Sequence, residues 1–103
     1  MTEEIAVQND GPAYCLTLSI DGRRAAFIDY YVFGAVAIVT HTEVVGGNEG
    51  QGLGTKIACR TLDRLDRAGY RVVPVCGFIA EQIRRHPQYA QLLTPYCRRI
   101  FDI

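Results

Sequence analysis

The eleven residues Val44-Val45-Gly46-Gly47-Asn48-Glu49-Gly50-Gln51-Gly52-Leu53-Gly54 hold five glycines, too many for a regular element. A glycine-rich turn that runs into a helix presents unpaired backbone N–H groups and the positive end of the helix dipole. Without Cβ atoms in the way, a pyrophosphate can approach that backbone, so the segment is a candidate anion site. The alternative is a plain strand-to-helix connection that needs glycine for its geometry. Neither common nucleotide loop fits. A Walker A loop ends Gly-Lys-Ser/Thr, whereas the order here is Gly54-Thr55-Lys56. A dinucleotide fingerprint needs G-x-G-x-x-G, and this run reads Gly50-x-Gly52-x-Gly54.

Groups able to act as nucleophile or base are few. Cysteines stand at 15, 59, 76 and 97 with no CxxC pair, and His41 and His86 are the two histidines. No metal-ligand spacing is present, so no metal site is expected and the thiols read as free. Cys76 precedes a predicted helix, whose dipole favours a thiolate. If the strands ending near His41 and Cys76 are parallel neighbours, the two side chains meet as a nucleophile with its base. The competing reading makes Cys76 a small packing residue and gives His41 a local hydrogen bond. Glu43 is a base candidate, acting through a water, or a solvated charge at a strand end. Cys15, Cys59 and Cys97 read as packing.

These residues need elements to position them. Residues 13–20 alternate, with Tyr14, Leu16, Leu18 and Ile20 on one face, which is the pattern of a half-buried strand. Asp21-Gly22 is a type I′ hairpin signal. A second strand is expected over 24–32, with Ala26, Ile28, Tyr30 and Val32 on one side, and a third over 35–42, completing an antiparallel meander. A helix starting near Gly52–Thr55 runs to about Ala68, with Leu53, Ile57, Ala58, Leu62 and Leu65 as its apolar stripe and Gly69 at its left-handed cap. Asp63 and Arg67 are spaced as an i,i+4 ion pair. Residues 70–76 form a strand parallel to its predecessor, because a helix separates the two. A second helix over 77–85 turns Phe78, Ile79 and Ile83 inward and stops before Pro87. A short helix over 88–93, a turn at Thr94-Pro95 and an extended tail complete the reading. The fold class is α+β: a mixed sheet in which a meander is followed by a β-loop-α-β-α unit.

A chain of 103 residues, 49% of them hydrophobic, supports one packed core, and a single domain over 1–103 is expected. Eleven basic and eleven acidic residues balance, which argues against nucleic-acid and anionic-membrane partners. The acidic start Met1-Thr2-Glu3-Glu4 lacks a following apolar stretch, and no run approaches the roughly 20 apolar residues of a bilayer span. A cytoplasmic protein is expected. A monomer is compatible with the sequence, which leaves the oligomeric state open.

The order of meander, glycine-rich loop, amphipathic helix, strand and helix resembles the core of the GNAT superfamily, the acyl-CoA-dependent N-acyltransferases. Glu49-Gly50-Gln51-Gly52-Leu53-Gly54 is similar to that superfamily's Q/R-x-x-G-x-G/A motif, with Glu49 where Gln or Arg is usual. Four segments resemble the minimal, single-domain YjdJ-type branch: His41-Thr42-Glu43-Val44, Gly52-Leu53-Gly54-Thr55-Lys56-Ile57, Val72-Val73-Pro74-Val75-Cys76-Gly77-Phe78 and His86-Pro87-Gln88-Tyr89-Ala90. Gly77 departs from the proline more usual after that cysteine. The likeness covers about residues 12 to 93.

The resemblance implies acetyl-CoA as co-substrate and an unidentified amine as acceptor. It implies that the backbone of Val44 and Val45 receives the pantetheine and that Glu49, Gly50, Gln51, Gly52, Leu53, Gly54 and Thr55 surround the pyrophosphate. Gly77 and Phe78 are implied as further cofactor-binding residues; His86 and Tyr89 are implied to line the pantetheine or protonate the leaving thiolate, with capping and packing as their other reading. The resemblance points to Cys76 and His41 as the catalytic pair, and Glu43 is the third catalytic candidate. The helical pair that follows the first strand in larger members is missing, so the acceptor side is expected to be open. The expected function is acetyl transfer from acetyl-CoA to an amine, either by direct attack or through an acetyl-Cys76 intermediate, with a non-catalytic acyl-CoA or CoA-binding module as the alternative.

Overall fold

Asp21 (φ 51°) and Gly22 (φ 80°) both sit in left-handed backbone, closing the expected type I′ hairpin in the computed structural model, which describes residues 1–103. The turn joins β2 (Ala13–Ile20) to β3 (Arg23–Phe33), and a second turn at Gly34 leads into β4 (Val36–Val44). An additional strand, β1 (Glu3–Asp10), pairs antiparallel with β2, from Glu3 opposite Ile20 to Asp10 opposite Ala13. Only Ile5 and Val7 in it pack toward the core, so its sequence carries little periodicity and the backbone ladder holds it. After the glycine loop comes α1 (Leu53–Arg67), then β5 (Arg71–Pro74), α2 (Gly77–Arg85), a 3₁₀ turn (Pro87–Leu92) and α3 (Pro95–Phe101).

The sheet order is β1-β2-β3-β4-β5, antiparallel except for β5, which runs parallel to β4. Leu16 and Leu18 of β2, Ala26, Ile28 and Tyr30 of β3 and Ala37 and Val39 of β4 meet the α1 stripe of Leu53, Ile57, Ala58, Leu62 and Leu65 in one buried cluster. Ile79 and Ile83 of α2 join it. Tyr31 and Phe33 on the opposite face of β3 are exposed, as is Val75 just beyond the end of β5.

Helix ends explain the element boundaries. Tyr70 N–H bonds the Leu65 carbonyl and Gly69 N–H bonds that of Asp66, with Gly69 at φ 83°, a Schellman closure of α1. Three expectations need correction. Phe78 lies on the exposed side of α2, at 39% exposure. Asp63 accepts the Tyr89 hydroxyl at 2.7 Å rather than pairing with Arg67. The expected extended tail is α3, because Thr94 Oγ1 accepts the N–H of Cys97 at 3.2 Å and Pro95 occupies the first helical position. No helix is long and apolar enough to cross a membrane.

Candidate active site

A bulge in β4 decides which side chains meet. Asp29 of β3 faces His41 while Tyr30 faces Val39, so Thr40 is an extra residue, its hydroxyl bonded to the Asp29 carbonyl at 3.3 Å. The inward parity therefore switches from odd (Ala37, Val39) to even, and Val44 packs against the core while His41 and Glu43 project from the open face. His41 Nε2–H donates to Glu43 Oε1 at 3.2 Å, both side chains being about half exposed, at 52% and 50%. In the neutral imidazole a bond through Nε2–H leaves the lone pair on Nδ1. Phe27 stands beside the imidazole, with ring centroids 5.9 Å apart.

Cys76 is the N-cap residue of α2 and packs against the core. Its thiol donates to Thr42 Oγ1 at 3.7 Å, and no hydrogen bond joins it to His41. The expected Cys76–His41 pair is thus replaced by two pairs, Cys76 with Thr42 and His41 with Glu43. Thr42 was not singled out in the sequence, because strict alternation gives no sign of the bulge.

The edge of β4 is open where the site begins. Pairing with β5 runs from Val36 opposite Arg71 to Val39 opposite Pro74, and the Cys76 N–H closes it on the Val39 carbonyl at 3.0 Å. Beyond that point β4 continues to Val44 with no neighbour on this side. Val45 cannot serve there as expected, since its N–H donates to the Ala25 carbonyl of β3 at 2.8 Å. Antiparallel alternation then turns the backbone groups of Thr42 and Val44 toward the gap.

The gap opens into a cleft of about 260 Å³ lined by Val44, Asn48, Glu49, Gly50, Gly52, Leu53, Gly54, Thr55 and Phe78. Gly52, at φ 72°, is the N-cap residue of α1 and supplies no side-chain cap, and the first intrahelical bond is Lys56 N–H to the Gly52 carbonyl. The N–H groups of Leu53, Gly54 and Thr55 lie ahead of that bond at the positive helix end. The Glu49 carboxylate turns back and accepts the Gly47 N–H at 2.9 Å. Gly54 has a separate steric reason: a Cβ there would lie 2.9 Å from the Phe78 ring.

The remaining expected residues lie elsewhere. Gln51 and Gly77 do not line the cleft. Tyr89 is buried against the flank of α1, bonded to Asp63, with its hydroxyl pKa pushed up first by burial and then by that bond. His86 Nδ1–H donates to the Gln82 carbonyl at 2.8 Å at the C-terminal end of α2. Both sets of contacts are those of packing and capping.

With this geometry in place, the comparison with known families is decisive. The model of the GCN5-related N-acetyl-transferase family matches residues 13–92. The chain belongs to that family. No curated protein sequence matches it. Among solved structures, this GCN5-related chain is similar to the ribosomal-protein-S18-alanine N-acetyltransferase of Escherichia coli (23% identity, TM-score 0.58, covering 62% of this chain and 42% of that one). It is also similar to an aminoglycoside acetyltransferase, meta-AAC0020, from an uncultured soil metagenomic sample, solved with sisomicin (17%, 0.59, 85% and 60%). A third is the ribosomal-protein-alanine N-acetyltransferase of Brucella melitensis biovar Abortus 2308 (17%, 0.55, 84% and 66%). At these identities the likeness is one of fold. The chain spans between 42% and 66% of the length of these enzymes.

Proposed function

We propose that the protein transfers the acetyl group of acetyl-CoA to an amine by direct attack. The observation that carries this reading is the unpaired stretch of β4 beyond Val39, leading into an α1 N-terminus that has no side-chain cap. In this reading the backbone of Thr42 and Val44 receives the pantetheine. The amides of Gly50 and of Gly52 to Thr55 hold the pyrophosphate, since a helix N-terminus free of its own cap favours an anion. The amine approaches from the open sheet face, and His41 Nδ1 takes its proton while Glu43 steadies the imidazolium through Nε2. The amine nitrogen bonds to the thioester carbonyl carbon, the C–S bond breaks, and the CoA thiolate leaves and is protonated. An acetyl-Cys76 route is less well supported, because no base is hydrogen-bonded to that thiol.

The test is a panel of amines mixed with acetyl-CoA, following released CoA with a thiol reagent, alongside calorimetry of CoA, ATP and NAD. Amine-stimulated CoA release, with CoA bound much more tightly than ATP or NAD, is expected. CoA binding without turnover would leave a CoA-binding module, and tighter binding of ATP or NAD would overturn the reading of the loop.

A further inference from the structure

The open sheet face carries a second feature that donor binding does not use. At the start of β3, Ser19 of β2 faces Arg24 and Leu18 faces Ala26, so Ala25 is an extra residue. Both alanines are buried, and this bulge brings Arg24 onto the same face as Phe27, three positions on. The Arg24 guanidinium lies 4.4 Å from the Phe27 ring centroid, and that ring lies 5.9 Å from the His41 ring. Arg23 and Arg24 also line a cleft of about 360 Å³ at the sheet end, with Ile20, Val45, Gly46, Gly47 and Asn48. Neither arginine is in an ion pair, whereas Lys56 is held by Glu3. Gly47's own N–H is occupied by Glu49, so the two guanidinium groups are the cleft's charged donors. Arg23, opposite the core-packed Ile20, enters the cleft from the helix-covered side of the sheet, and Arg24 enters it from the open face. From Arg24 the open face runs across the Phe27 ring to the His41 imidazole bonded to Glu43.

We propose that the acceptor is an anionic amine, whose carboxylate or phosphate sits in the Arg23/Arg24 cleft while its amino group lies at His41. The inference rests on the reading of His41 as the base. Guanidinium groups suit either anion, because their planar fork pairs with two oxygens at once. The span between the arginine and histidine ends sets the ruler: three extended residues cover on the order of 10 Å, so triglycine is a suitable probe.

Binding of triglycine and of its C-terminal amide to the CoA-loaded protein is measured by NMR titration, and KM by thiol release. Triglycine is expected to bind at least tenfold more tightly than its amide. In the double variant Arg23→Gln/Arg24→Gln that gap should close, with the affinity for CoA unchanged, and Arg24→Lys should restore part of it. Equal binding of the two peptides to the wild type would overturn the proposal. So would a double variant that loses affinity for CoA but not for 3′-dephospho-CoA, since the cleft would then belong to the donor's own phosphate. If no amine is acetylated while triglycine still binds in this pattern, the enzyme reading fails and the anion cleft stands.

Discussion

Gly52 and Gly54 are glycines for different physical reasons, and substitution separates them. Gly52 has left-handed backbone with open space around its missing Cβ, so Gly52→Val acts through strain and through obstruction of an approaching phosphate. CoA binding should weaken at least tenfold, about 1.4 kcal/mol; unchanged calorimetry on a folded variant would reduce the loop to a connection. Gly54→Ala meets the Phe78 ring at 2.9 Å, and that ring is partly exposed and able to move. It should destabilise the chain in urea, and Phe78→Ala in the same chain should remove most of that cost, a coupling that a double-mutant cycle reads directly. At Cys76 the thiol's partner is Thr42, so Cys76→Ala should keep most of kcat, whereas His41→Ala should lose on the order of 10²-fold. An acetyl-Cys76 adduct in mass spectra would reverse that assignment. The glycine positions were legible because positive φ and close approach select one residue type. The Cys76–His41 meeting was misread because one extra residue in β4 changes the face of every side chain after it.

Elements with long apolar periods could be read directly: β2, β3, β4, α1, β5 and α2 all stand within two residues of their expected limits at each end. β1 and α3 could not, since β1 sends only Ile5 and Val7 inward and α3 buries no residue fully. Ladder pairing and capping hold such elements, and both leave weaker marks in a sequence than a hydrophobic face. The same capping logic gives a prediction for α2. Gly77 is its first residue, with open space where a Cβ would go, and Cys76 before it is extended at φ −69°, ψ 122°, as a residue preceding proline must be. An N–H at this first position has no intrahelical acceptor to lose. Gly77→Pro should therefore stabilise the protein by about 0.4–1 kcal/mol, chiefly by restricting the unfolded chain. For a chain near 100 residues this corresponds to a rise in Tm of roughly 2–8 °C. A lower Tm would mean that the Gly77 N–H or its conformation is needed as it stands.

At the scale of the whole molecule, the acids Cys15, Tyr30 and Tyr89 have their pKa values moved upward, which sets the direction of their contribution at alkaline pH. Burial raises the Cys15 thiol above its ordinary 9.0, with the nearby Asp29 carboxylate adding to the shift. Burial likewise raises the Tyr30 and Tyr89 hydroxyls above 10.0, and for Tyr89 the bond to Asp63 favours the neutral form further. Each group is neutral in the native state at pH 7 and ionises more readily in the unfolded chain. Below about pH 9 both states hold these protons, and the groups give no pH dependence. As pH rises past 9 for the thiol and past 10 for the phenols, the unfolded chain releases protons that the folded chain keeps, so unfolding becomes more favourable. Urea midpoints should be level on this account from pH 7 to about 9 and fall at higher pH. Tyr89→Phe removes one of the three groups and should flatten the alkaline fall. At pH 7 the same variant loses the hydrogen bond to Asp63, costing about 1 kcal/mol, and leaves CoA affinity unchanged. An alkaline fall as steep in Tyr89→Phe as in the wild type would mean that Tyr89 is no more protected from ionisation than in the unfolded chain. A loss of CoA affinity would return Tyr89 to the donor site.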